Sequence, residues 1–171
     1  MTVATTTVLL AAGLTAQLYA KDNRAPSVPT DIDVPEGHRV HFHGYAIGVQ
    51  IYTWNGTSWG ASVPEALLFD NDGEVVAIHY GGPTWESNSG SKVVGVVAAP
   101  RVTVDPDAIP WLLLAAVPAS TEGPGIFAST TYIQRVNTSG GKAPSEVGDF
   151  VGQVARVSYT ADYYFYRQSN H

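Results

Sequence analysis

From Arg39 onward the chain alternates polar and apolar residues with a period of two, in short runs cut by Gly, Pro or Asn-Gly. Successive side chains of a strand point to opposite faces, so this pattern commits the chain to antiparallel β-structure. Val40, Phe42 and Ala46 fall on one face, and Arg39, His41, His43 and Tyr45 on the other. Gly44 and Gly48 mark a bulge or bend. Residues 49–54 continue with Gln50, Tyr52 and Trp54 on one face, and Asn55-Gly56 signals a hairpin turn. Residues 67–69, the turn Asn71-Asp72-Gly73 and residues 74–80 form a second hairpin by the same logic. Residues 92–98 read as a Val-rich strand. Residues 109–117 (IPWLLLAAV) are apolar throughout and suit one or two turns of buried helix as well as a strand. Residues 125–136 and 154–167, rich in Thr, Tyr, Val and Ile, are the longest expected strands, joined by a Gly/Pro/Ser loop over 137–152.

Seven or eight such strands predict an all-β fold, an antiparallel β-barrel or β-sandwich with at most two short helices. Residues 1–31 read as an N-terminal segment and Pro-rich linker, and residues 32–171 as a single β domain. A length of 171 residues suits one core. Residues 8–20 are too short and too interrupted, by Gly13, Thr15 and Gln17, to span a bilayer as a helix. Their small residues before Lys21 resemble a secretory signal but lack a preceding Lys or Arg, so an ordered segment, helical or extended, is expected.

Charge and composition narrow the chemistry. The net charge is -6 and the nine Lys and Arg are scattered singly, which argues against nucleic acid as a partner. The absence of cysteine removes disulfides, thiolate nucleophiles, thiolate zinc sites and iron–sulfur clusters. His, carboxylates, hydroxyls and amides remain.

His38, His41 and His43 form the sole histidine cluster, and a His-x-His pair on one strand face invites comparison with cupin metal sites. The Glu such a site needs is missing, since the following window holds Ala46, Ile47 and Gly48. The expectation is no metal and no cofactor, with an exposed polar strand face instead.

The densest motif is HYGGPTWE, residues 79–86. Gly81, Gly82 and Pro83 force a reversal, and the expectation is that His79, Trp85 and Glu86 gather around it at the mouth or wall of a cavity. The competing reading has Trp85 filling the core and His79 bonded to a loop carbonyl. Gln50, Tyr52 and Trp54 on one strand, with Tyr132 and Gln134 on another, alternate with Val49, Ile51 and Ile133. Facing inward, they make an apolar cavity with a few hydrogen-bonding groups; facing outward, an aromatic surface. The Tyr163–Tyr166 run reads as alternating core and surface, because no basic groove accompanies it.

Several motifs in one order, GVQIYTW, PEALLF, HYGGPTWESNSGSKV, AIPWLLL, TYIQRVNTSGGKAP and YTADYYFYR, resemble the bacterial branch of the domain of unknown function 3455 family. The resemblance runs roughly from Pro29 to Arg167. It implies no reaction. Members commonly carry secretory signals, so it implies a secreted or periplasmic location. The malate dehydrogenase label some members bear finds no support here, because no Gly-x-Gly-x-x-Gly loop follows a strand.

Three readings of function follow. The first is a small-molecule-binding or envelope-associated domain holding a small, mostly apolar ligand through Gln50, Tyr52, Trp54, His79, Trp85, Tyr132 and Gln134. The second is a small barrel enzyme of cyclase or isomerase type, with His79, Glu86 or a Tyr hydroxyl moving the proton. The third is a self-assembling structural protein, a homo-oligomer formed through the N-terminal segment.

Overall fold

The computed structural model of the chain describes residues 24–118 and 122–169. Eight strands succeed one another around a single antiparallel sheet: β1 (His38–Thr53), β2 (Val63–Phe69), β3 (Val75–Tyr80), β4 (Thr84–Ser87), β5 (Lys92–Val97), β6 (Leu112–Ala116), β7 (Tyr132–Gly140) and β8 (Val154–Gln168). β8 pairs with β1, from His38 opposite Gln168 to Thr53 opposite Val154, and closes the sheet into a barrel. Of the two architectures the alternation allows, the chain adopts the ring. Among the described residues its one helical element is a 3-10 turn at Thr30–Ile32.

A bulge in β1 between Val40 and Phe42 sets which face is which. Val40 lies opposite Tyr166 and Phe42 opposite Phe165, so the extra residue puts these two side chains on opposite sides of the wall. Phe42 joins the interior, where it packs on Phe127 and Phe165. The expectation that Val40 and Phe42 share a face therefore fails at His41, the bulged residue. Beyond the bulge the alternation holds: Ala46, Gly48, Gln50 and Tyr52 face inward. Gly48 sits where β1 and β2 come closest, since a Cβ there would fall 2.2 Å from the Glu65 carbonyl oxygen.

The interior is filled by Leu68, Trp85, Val93, Phe127, Ile133 and Phe165. Phe127 comes from the β6–β7 connection and closes one end of the barrel. Residues 125–131, expected as strand, are turns and irregular chain, and the strand begins later and extends to Gly140. Gly125 and Ser129 both take positive φ, which a strand does not permit. Residues 112–116 settle as strand β6, paired to β5 and β7. Asn55-Gly56 opens a longer connection instead of a two-residue hairpin, in which Trp54 bridges to Trp59 and the Asn55 carboxamide accepts from the Thr57 and Ser58 amides. Residues 1–23, whose type the alternation leaves open, lie outside the described residues.

Candidate functional site

The β1–β2, β3–β4, β5–β6 and β7–β8 connections all lie at the end of the barrel opposite Phe127. There a cavity of about 410 Å³ opens, within the ~300–1,000 Å³ usual for small-molecule sites. Residues 60–64, Gly82 and Pro83, and Arg101 with Ile109 and Pro110 form its rim. Its wall is Gln50 and Tyr52 from β1, His79 from β3, Trp85 from β4, Leu112 and Leu114 from β6, Arg135 from β7 and Tyr163 from β8.

Cross-strand register brings these side chains together. His79 is opposite Trp85, and residues opposite one another in an antiparallel pair project to the same side. The two rings lie flat on each other, with centroids 4.3 Å apart and planes 5° from parallel. Tyr163 meets both rings edge-on. His79 Nδ1 lies 2.8 Å from the Thr84 carbonyl, which can only accept, so Nδ1 carries the proton and neutral His79 keeps Nε2 as an acceptor. Burial brings the His79 pKa down to about 3; the bond to Thr84 opposes that shift and the Arg135 charge adds to it. The imidazole is therefore neutral across the physiological range.

Arg135 is opposite Tyr163 and points inward. Its Nε and Nη2 both donate to the Pro110 carbonyl, at 3.2 and 2.8 Å, which fixes the guanidinium plane. The Tyr163 phenol is pushed above its ordinary pKa by burial, against the pull of the Arg135 charge. Tyr159, beyond Ala161 on the inner face of β8, is raised by burial as well. Gln50, Tyr163 and Arg135 bear on the Tyr159 phenol, and Tyr159 and Arg135 on that of Tyr163, yet neither hydroxyl meets good hydrogen-bond geometry with any of them. Gln50 Nε2, Trp85 Nε1 and the Tyr159 and Tyr163 hydroxyls are thus buried without a hydrogen-bond partner. Tyr52 differs, because its hydroxyl donates to the Gly141 carbonyl at 2.6 Å.

Four of the residues singled out from the sequence, Gln50, Tyr52, His79 and Trp85, meet at this cavity. Others lie elsewhere. Trp54 is buried against Trp59, and its ring occupies the space a Cβ at Gly148 would need. Tyr132 and Gln134 are on the outer face of β7: Gln134 accepts from the Tyr166 hydroxyl and donates to the Ile32 carbonyl at 2.7 Å, beneath the 3-10 turn. Glu86 pairs with Ile78 on the outside of the barrel and accepts from the Tyr80 hydroxyl at 2.8 Å. The expectation that His79, Trp85 and Glu86 gather together fails for Glu86, since β4 is a regular strand and its neighbours alternate.

The three N-terminal histidines diverge. His38 bonds Pro35 and meets the edge of Tyr132, while His41 bonds the Thr130 hydroxyl. His43 stacks on Tyr164 at 4.0 Å. Among the described residues no group of three or more His, Asp or Glu converges as a metal site would require.

Sequence reasoning missed Arg135, Leu112, Leu114 and Tyr163 as parts of the site. Arg135 carried a signal: it is the one charged residue of β7, and it shares the face of Ile133.

The family model described as Protein of unknown function (DUF3455) matches residues 35–167, from just ahead of β1 almost to the end of β8. No curated protein matches the chain, and no solved structure does.

Proposed function

Because the chain belongs to the family described as Protein of unknown function (DUF3455), a description that carries no activity with it, we propose from the cavity itself that the barrel is a small-molecule-binding domain. The ligand enters between the loops and rests against Trp85, Leu112 and Leu114. The observation that carries this reading is the set of buried, unpartnered polar groups, Gln50 Nε2, Trp85 Nε1 and the Tyr163 hydroxyl, on side chains that wall one cavity. A buried donor left without a partner costs about 1–3 kcal/mol, so three on one wall favour a molecule that bonds to them.

The reading is tested by mass spectrometry of compounds that co-purify with the protein, alongside a Leu112→Phe variant that fills the cavity. A retained compound that Leu112→Phe loses, with an unchanged circular-dichroism spectrum, supports it. A compound retained equally by both proteins, or no retained compound, counts against it.

A catalytic reading has one observation behind it. His79 offers a fixed, unprotonated Nε2 in a cavity that also holds the Tyr163 hydroxyl, an arrangement suited to shaping a substrate for cyclisation or isomerisation. An imidazole with a pKa near 3 is a weak base, so positioning is favoured over proton abstraction. Envelope association, a secreted location and the bacterial branch rest on the motif resemblance, and assembly through the N-terminal segment on residues outside those described.

A further inference from the structure

We propose, resting on the binding reading above, that the ligand is an organic anion: a carboxylate on an apolar body, with the carboxylate taken by Arg135. Three features of the cavity converge on that chemistry.

The first is an uncompensated charge. Arg135 is half-buried, and its guanidinium is held by a neutral carbonyl, Pro110 O. No carboxylate among the described residues pairs with it, and none lines the cavity. A guanidinium withdrawn from water without a counter-ion is unfavourable, and its planar fork matches a carboxylate in shape and charge. With Nε and Nη2 engaged by Pro110, the guanidinium also lies within reach of the Tyr163 hydroxyl, so the two can take a ligand carboxylate together. Arg101, exposed on the rim, likewise pairs with no acid among the described residues. The chain as a whole carries a net charge of -6, so a cavity with two arginines and no acid departs from the character of the rest of the protein.

The second is the kind of hydrogen bond on offer. Gln50 Nε2 and Trp85 Nε1 can only donate, and each belongs to a side chain just 1% exposed. The Tyr163 hydroxyl, equally buried, donates as readily as it accepts. A wall with surplus donors is complementary to an acceptor-rich group, and a carboxylate accepts through both oxygens. His79 Nε2 is an acceptor on the same wall, but two arginines and no acid on the lining disfavour a cationic head.

The third is the remainder of the lining. Val97, Ile109, Leu112 and Leu114 give the cavity an apolar side against which a hydrocarbon or aromatic body loses its contact with water. Affinity then comes from the body and discrimination from the head.

The test is calorimetric titration of the full chain with three probes of one length: octanoate, octanol and octylammonium. Octanoate is expected to bind about tenfold or more tightly than octanol, in keeping with a charge-assisted hydrogen bond, and octylammonium is expected not to bind. Arg135→Gln is expected to reduce octanoate binding to the octanol level while leaving octanol unchanged. Should that variant fail to fold, the comparison of octanoate with octanol on the unaltered protein still decides, together with Arg101→Gln, expected to weaken octanoate alone. Equal binding of octanoate and octanol overturns the anion inference and leaves the binding reading standing. Preference for octylammonium overturns it as well. If no probe binds, both readings fall.

Discussion

His79 lies flat against Trp85, opposite it in register, while its Nδ1 proton goes to the Thr84 carbonyl at the far side of the β3–β4 turn. One imidazole thus ties the hairpin to the barrel interior, and burial, not that bond, keeps it neutral.

The first expectation is a dependence of stability on pH. The unfolded His79 titrates near 6.5 and the folded one near 3. Below pH 6.5 the unfolded chain takes up a proton that the folded chain refuses, so stability is full above 6.5 and is lost as pH falls towards 3. The slope from this group approaches ~1.4 kcal/mol per pH unit. His41, brought to about 4 by burial and by the charges of Arg167 and Arg39, acts in the same direction. Urea denaturation of His79→Gln at several pH values is expected to show part of this acid sensitivity removed. An unchanged slope would mean that His79 is not held neutral.

Trp85 is fully buried at the centre of the aromatic cluster, touching His79, Tyr163 and Phe165. Trp85→Ala is expected to lower the unfolding free energy by about 3–5 kcal/mol. A cost under about 1 kcal/mol in chemical denaturation would mean that the barrel collapses onto the space left behind.

At Gly48 a methyl group meets backbone instead of a movable side chain, since Glu65 O and Ala66 Cα lie 2.2 and 2.5 Å from the ideal Cβ position. Gly48→Ala is expected to destabilise by about 3 kcal/mol, because β1 and β2 must part to admit it. In Gly90→Ala the new Cβ meets nothing within 4 Å, so the cost is confined to the positive φ of 84°. Thermal melts of the two variants separate backbone clash from backbone strain.

Glu86, set against His79 as a proton-transfer candidate, makes its contact outside the barrel with Tyr80. Its hydrogen bond and charge raise the Tyr80 pKa. Glu86→Gln is expected to leave ligand binding unchanged, to shift stability by no more than about 0.5 kcal/mol, and to bring the phenol titration down. Loss of ligand binding in this variant would contradict the placement of the site inside the barrel.

The period-two pattern made the strands legible, and Gly48 marks a close approach of β1 to β2, whereas the bulge expected at Gly44 or Gly48 falls at His41. What alternation cannot supply is the choice of which face turns inward. On β1 the choice reversed at the His41 bulge. On β7 it favoured Ile133 and Arg135 over Tyr132 and Gln134, because Gln134 finds its partners in Tyr166 and the Ile32 carbonyl, both distant in sequence. Those bonds depend on long-range pairing, which no local window contains. The same holds for the site: Gln50, His79, Trp85 and Tyr52 stood out by residue type, whereas Arg135 and Tyr163 acquire their role from being opposite each other across β7 and β8.

Closure of the ring by β8 sets the order in which the protein can be made. The longest strand, β1, leaves the ribosome first and finds its partner along almost its whole length only when β8 follows. Until then β1 presents an open edge, with Ile47 among its exposed apolar residues and unpaired amides along the side that β8 will cover. Such late, sequence-distant pairing makes for slow folding and a vulnerable intermediate, so a chain released before β8 is complete would be the species most prone to edge-to-edge association.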